Sequence, residues 1–250
     1  MKTNGNTILI TGGGSGIGRA LAASFHALGN RVIIAGRRPA VLDEVTRAHP
    51  GMASAVLDIE DPAAIRRFAA QLTAAHPALN VVIHNAGIMK PEKLVEAQDA
   101  VAEATIATNL LGPIRLNNAL LPHLLRQKSA AVMTVTSGLA FVPLAACPTY
   151  SATKAALHSY TESLRAQLRG TSVQVLELAP PYVQTELMGA HQASDPLAMP
   201  LTDFIAESMQ IIAQSPDAAE ILVERVKPLR FAARGDYQAV FQRLNGATSH

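Results

Sequence analysis

Cysteine is all but absent: Cys147 is the only one in 250 residues. That excludes a disulfide framework and a cysteine-built zinc site, and it fits a reducing compartment. Tryptophan is missing and aromatics make up 4% of the chain, so the core has to be aliphatic. Charged residues are scarce at 16%, and their net value of +2 is too mild and too evenly spread to argue for nucleic acid. No uninterrupted apolar run approaches the roughly 18 residues of a membrane span, so no membrane partner is expected. Met1 to Gly5 lacks the long apolar stretch of a signal peptide, which makes the cytoplasm the expected location. None of the eight histidines stands three or four residues from another, so no metal site is expected. What is present is apolar mass: 49% of residues are hydrophobic, enough for a sizeable core in a chain that needs no staples to fold.

Short β-branched runs alternate with longer helical patterns. Strands are expected at 7–11, 31–35, 54–57, 81–83, 131–135 and 173–178. Helices are expected at 17–28, 39–49, 61–76, 99–124 and 149–169. Several ends carry explicit signals: Asp61 as N-cap with Pro62 behind it, Pro39 in a first turn, and Gly29 and Gly170 as stops. Pro113 falls inside the 99–124 pattern and should bend or break it. Further on, 201–214 and 236–244 have helical spacing, and 221–223 suits either a seventh strand or a continuing helix. Strands alternating with helices predict an α/β fold: a doubly wound parallel sheet of six or seven strands, helices on both faces, in a single domain over 1–250.

Between the first strand and first helix lies Thr11-Gly12-Gly13-Gly14-Ser15-Gly16-Ile17-Gly18. Glycines tolerate the tight turn and let backbone approach a pyrophosphate, while the helix N-terminus offers free N–H groups and partial positive charge. A plain structural turn would not require so many glycines at these spacings. The second strand ends in Gly36-Arg37-Arg38, without the carboxylate that usually accepts hydrogen bonds from ribose hydroxyls. Arg37 and Arg38 are suited to grip a 2′-phosphate, Arg37 foremost, which favours NADP(H) over NAD(H). The bland alternative is a pair of solvated charges at a helix start.

The glycine spacing, together with Tyr150-Ser151-Ala152-Thr153-Lys154, resembles the short-chain dehydrogenase/reductase family over nearly all the chain to about Thr185. Thr136-Ser137-Gly138-Leu139-Ala140-Phe141-Val142-Pro143 and Ala179-Pro180-Pro181 look like its DltE-like branch. The resemblance implies a Rossmann-type fold with cofactor contacts at Gly12, Gly14, Ser15, Gly16, Ile17 and Gly18. It adds Asp58 and Ile59 beside the adenine, then Asn85, Ala86 and Gly87 after the fourth strand. Past the sixth strand it implies Pro180, Val183 and Thr185. Pro180-Pro181 replaces the family's common Pro-Gly, stiffening the chain there.

Tyr150 and Lys154 stand at i and i+4 on an expected helix, so both share one face. A free phenol ionises near pH 10, and a neighbouring ammonium favours its phenolate. The pair therefore suits proton exchange with a carbonyl or alcohol. The resemblance makes Ser137 the residue that steers the substrate oxygen, with Thr136 as a local competitor. It makes Asn109 the holder of a water near Lys154; a side chain bonded to its own helix is the alternative. Cys147 is expected to be a small buried residue, and His158 a packing or interface histidine. The stretch 186–200, within a substrate loop of about 186–216, is expected to be mobile and to close over substrate. Its apolar residues, Leu187, Met188, Leu197 and Met199, hint at an apolar substrate.

The expected function is hydride exchange between nicotinamide and a small carbonyl or alcohol. A non-catalytic NADP(H) sensor and a sugar-nucleotide epimerase are the competitors. The first has no need of Ser137, Tyr150, Lys154 and Asn109 together, and the second needs a larger C-terminal domain. Relatives self-associate through the two long helices, so a homodimer or homotetramer is expected.

Overall fold

A computed structural model describes residues 1–96 and 99–246. Its centre is a seven-stranded sheet in the order β3-β2-β1-β4-β5-β6-β7, with every pairing parallel. The strands are β1 (Thr7–Thr11), β2 (Arg31–Gly36), β3 (Ala53–Val56), β4 (Leu79–His84), β5 (Ala130–Val135), β6 (Val173–Leu178) and β7 (Glu220–Ile221). The helices are α1 (Gly16–Ala27), α2 (Pro39–Ala48), α3 (Pro62–Ala75), α4 (Asp99–Ile106), α5 (Gly112–Leu124), α6 (Pro148–Gln167), α7 (Ala190–Ala193), α8 (Leu201–Gln214), α9 (Lys227–Arg230) and α10 (Tyr237–Asn245).

Strand periodicity divides the core. Ile8, Ile10, Val32, Ile34, Val81 and Ile83 face one side and pack with Leu21 and Phe25 of α1 and Phe204 and Ile212 of α8. Leu9, Ile33, Val82 and Val132 face the other and pack with Phe68 of α3, Leu116 and Leu120 of α5 and Leu164 of α6. Both faces are apolar because helices cover both, as a parallel sheet requires. Sheet order reverses between β2-β1 and β4, which opens a crevice at the carboxyl ends of β1 and β4, where such folds bind ligands.

Asp61 caps α3 by accepting from the Ala63 N–H at 2.7 Å, which satisfies one of the free first-turn donors. The expected 99–124 helix is two helices. Ala107–Leu111 forms a π-turn between α4 and α5, with the Gly112 N–H bonded to the Ala107 carbonyl. Pro113 then stands in the first turn of α5. Proline has no N–H and crowds the carbonyl four residues back, so the break falls just upstream of it. The seventh strand is Glu220–Ile221 rather than 221–223. The 186–216 segment is not one loop: α8 occupies 201–214 and buries Phe204, Ile205, Ser208 and Ile212.

Candidate active site

Most of the residues expected from sequence meet in one cavity of about 860 Å³ along the carboxyl ends of the strands. That is within the size of small-molecule sites. One end is the glycine loop. Gly12 has φ +67°, and a Cβ there would lie 2.9 Å from the Ala86 Cα, so no other residue fits without strain. Ser15 precedes α1 but makes no side-chain cap, which leaves the first-turn N–H groups without that internal acceptor at a helix end bordering the cavity. This cradle fits a dinucleotide pyrophosphate. Gly18 lies behind it: a Cβ there would sit 2.3 Å from both the Gly12 carbonyl oxygen and Asn85 Nδ2. Its part is close packing of helix on strand, not lining.

Asn85 ties the ends of β1 and β4 together. Its Nδ2 donates to the Thr11 and Gly12 carbonyls at 3.1 and 3.2 Å. The Thr11 hydroxyl accepts from the Asn85 and Ala86 N–H groups, each at 3.1 Å. Thr11 was not singled out in the sequence. A threonine ending a buried strand gives no local hint that its hydroxyl serves another strand.

At the end of β2, Arg37 and Arg38 line the cavity beside Gly36 and Ile59. Arg37 is already paired: its Nη1 lies 2.9 Å from Glu60 Oε1. The Thr108 hydroxyl donates to the same oxygen at 2.8 Å, and Arg115 Nη1 donates to the Glu60 carbonyl at 3.3 Å. Asp58 is exposed and does not line the cavity; its Oδ1 accepts from the Glu60 N–H at 3.0 Å.

The other end is built by β5, α6 and the segment after β6. Tyr150 and Lys154 stand one turn apart on α6 and are buried, and the Lys154 Nζ lies 5.6 Å from the Tyr150 ring centroid. The Nζ donates to the Val135 carbonyl at 2.7 Å. Burial pushes the Tyr150 phenol up to about 12, against the opposing pull of its hydrogen bond with Ser137. Burial brings the Lys154 ammonium down to about 8, and the Glu177 carboxylate works against that. Withdrawal from water thus outweighs any lowering of the phenol by the neighbouring ammonium. Ser137 Oγ also accepts from the Leu139 N–H at 3.1 Å. Thr136, the competitor, also lines the cavity, but its hydroxyl is committed to Glu177, donating at 2.7 Å.

Asn109 lies in the π-turn, fully buried and outside the cavity wall. Its Oδ1 accepts from the Ile88 N–H and its Nδ2 donates to the Ile88 carbonyl, both at 2.9 Å. A longer contact of 3.3 Å reaches the Thr153 hydroxyl. The side chain thus bonds another segment, not its own helix. Cys147 is fully buried against Met89 and Tyr150, and burial, helped by Glu92, pushes its thiol up to about 11.

Pro180, Val183 and Thr185 line the cavity, with Thr185 against the glycine loop: a Cβ at Gly16 would lie 3.5 Å from the Thr185 Cβ. The segment beyond is pinned at its base. Val183 bridges Met199 in parallel, and Gln192 Nε2 donates to the Val183 carbonyl at 2.8 Å and to Thr185 Oγ1 at 3.1 Å. Leu139, Leu144, Met188, Leu229 and Leu244 make the remaining wall largely apolar. Leu229 and Leu244 come from short C-terminal helices, whose approach to the site has no sequence signal.

Among the described residues, His158, Glu177 and Glu220 bring three ligand atoms within 4.8 Å of one another. Sequence spacing missed this group because it draws on α6, β6 and β7. Its atoms already have partners: His158 bonds Glu177 at 2.8 Å, and Arg230 grips Glu220 at 2.7 and 3.1 Å.

Residues 6–195, more than half of the chain, match the model of the short chain dehydrogenase family. The chain is 39% identical over 250 residues to the uncharacterized oxidoreductase DltE of Bacillus subtilis (strain 168), covering 98% of each. It is similar to a short chain dehydrogenase from Burkholderia cenocepacia solved with NADP, at TM-score 0.83 and 25% identity, covering 98% of this chain and 99% of that one. It is also similar to the closed form of a serine dehydrogenase complexed with NADP+, at TM-score 0.77 and 27% identity, covering 86% and 91%. Among the described residues, no helix is long and apolar enough to cross a membrane.

Proposed function

The chain belongs to the short-chain dehydrogenase family, and from that premise we propose that it is an NADP(H)-dependent oxidoreductase of the DltE-like branch, acting on apolar carbonyl compounds or the matching alcohols. The observation that carries this reading is a single cavity running from the glycine cradle to Ser137, Tyr150 and Lys154. The cradle fits a pyrophosphate, and Arg37 and Arg38 line the same cavity with charge suited to a ribose 2′-phosphate. Similar chains were solved with NADP.

When bound, the reduced nicotinamide supplies a hydride to the carbonyl carbon. The chain supplies position and a proton. Ser137 holds the carbonyl oxygen toward the phenol. Tyr150, protonated at neutral pH because burial holds its phenol up to about 12, donates the proton to that oxygen. The phenolate left behind is stabilised by Lys154, whose ammonium sits beside the ring. Asn109 acts at a distance, fixing Ile88 and the Thr153 side of α6. Leu139, Leu144, Met188 and Leu229 favour an apolar substituent on the carbonyl and help exclude water.

The test is NADPH consumption against a panel of aldehydes, ketones and quinones, with NADPH binding measured in parallel. Turnover of apolar carbonyls is expected. Tight NADPH binding with no turnover of any member overturns the enzyme reading in favour of a cofactor sensor.

A further inference from the structure

Glu177 is a carboxylate with no exposed surface, set between Leu176 and Leu178 in strand β6. Leaving such a group unpaired is strongly unfavourable. Its oxygens are met by the Thr136 hydroxyl at 2.7 Å and by His158 Nδ1 at 3.0 and 2.8 Å. The His158 ring is fixed edge-on against Phe141, with centroids 4.8 Å apart. These contacts come from the elements that also hold Lys154. His158 follows it by one turn on α6, and Val135, which accepts the Lys154 hydrogen bond, directly precedes Thr136. Three consecutive residues at the end of β5 thus serve three groups: Val135 holds Lys154, Thr136 holds Glu177, and Ser137 meets Tyr150.

We propose that Glu177, oriented by Thr136 and His158, is the buried counter-charge of Lys154, and so a positioning residue for proton donation from Tyr150. This rests on the proposed oxidoreductase function. Lys154 makes its hydrogen bond to a backbone carbonyl, so the carboxylate acts through space, in an interior where charge is poorly screened. The other charged or titratable groups packed around the pair are Tyr150, His158 and Glu162 on α6, Glu220 on β7 and Arg230 on α9. Glu162 lies 3.8 Å from His158, and Arg230 is neutralised by Glu220. Glu177 is the charge that opposes the lowering of Lys154 by burial. Without it, the ammonium loses its proton at lower pH, and the phenolate formed in the reaction loses its stabilising partner.

The experiment compares wild type with Glu177→Gln and Glu177→Asp. Lys154 is titrated by NMR of 13C-labelled lysine, and kcat against pH is measured with NADPH and a reducible carbonyl. In E177Q both the Lys154 titration and the alkaline limb of the profile should move down by about one unit, a tenfold loss of rate at a given pH above the limb. E177D should restore most of both. An unmoved Lys154 titration overturns the proposal, as does a rate lowered equally at every pH, the signature of a merely structural role. If E177Q does not fold, Glu177→Gln with His158→Gln replaces the pair by two amides that can bond each other and carries the same test. A displaced Lys154 titration in a protein that reduces no carbonyl leaves the counter-charge standing and overturns the oxidoreductase reading instead.

Discussion

Arg37 and Glu60 form an ion pair of 2.9 Å at the end of β2, with the Thr108 hydroxyl on the same carboxylate oxygen. The carboxylate thus holds the guanidinium where a 2′-phosphate is proposed to bind, and cofactor and Glu60 compete for one cation. Arg37→Ala should raise the KM for NADPH at least tenfold and leave that for NADH nearly unchanged. Glu60→Gln should lower the KM for NADPH by up to about fivefold, since a half-exposed pair is worth under about 1 kcal/mol. Equal effects of R37A on both cofactors would remove the 2′-phosphate from the account.

Tyr150→Phe removes one oxygen atom from a well-packed site. NADPH binding, followed by fluorescence, should stay within about threefold of wild type, while kcat falls at least 10²-fold, as for loss of a general acid. Retained turnover would assign the proton to another group.

Lys154 carries a pH signature in stability. Its pKa is depressed on folding, from 10.5 to about 8. Between those values the unfolded chain binds more protons than the folded one, so this group's contribution rises with pH across that window. The burial cost is fully present below about pH 8 and relieved toward 10.5. Lys154→Met removes this slope, so the stability difference between the two proteins should shift in favour of wild type between pH 7 and pH 10. Urea midpoints of both proteins at the two pH values check it. A shift in favour of the variant as pH rises contradicts the sign.

Leu244 reaches the cavity from α10, and the same helix is tethered by Asn245. Its Oδ1 accepts from the Ala145 N–H at 2.6 Å, and its Nδ2 donates to the Pro143 carbonyl at 3.1 Å. Asn245→Ala should loosen this wall, raising the KM for an apolar carbonyl about fivefold, the equivalent of one net hydrogen bond. The KM for NADPH should not change. Steady-state kinetics with either substrate varied separate the two, and equal rises would place α10 elsewhere in function.

Much of the frame was legible residue by residue. Asp61-Pro62 marks the start of α3 and Pro39 that of α2, because capping and proline effects are local. The break before α5 was legible in Pro113, but not the π-turn around Asn109 or its bonds to Ile88. The seventh strand was ambiguous because two residues carry little periodicity; its pairing with β6 decides it.

By itself the sequence determined the alternating architecture, the glycine cradle and the Tyr150–Lys154 face, since each is set by steric and periodic rules acting within a few residues. Tertiary structure alone decided the rest. It turned Asp58 outward to Glu60, committed the Thr136 hydroxyl to Glu177, and gave Arg37 a rival partner. It also made burial, rather than the neighbouring ammonium, the dominant influence on Tyr150. Charge, desolvation and hydrogen bonding act between groups brought close by folding, and neither distance nor exclusion from water is written in linear order.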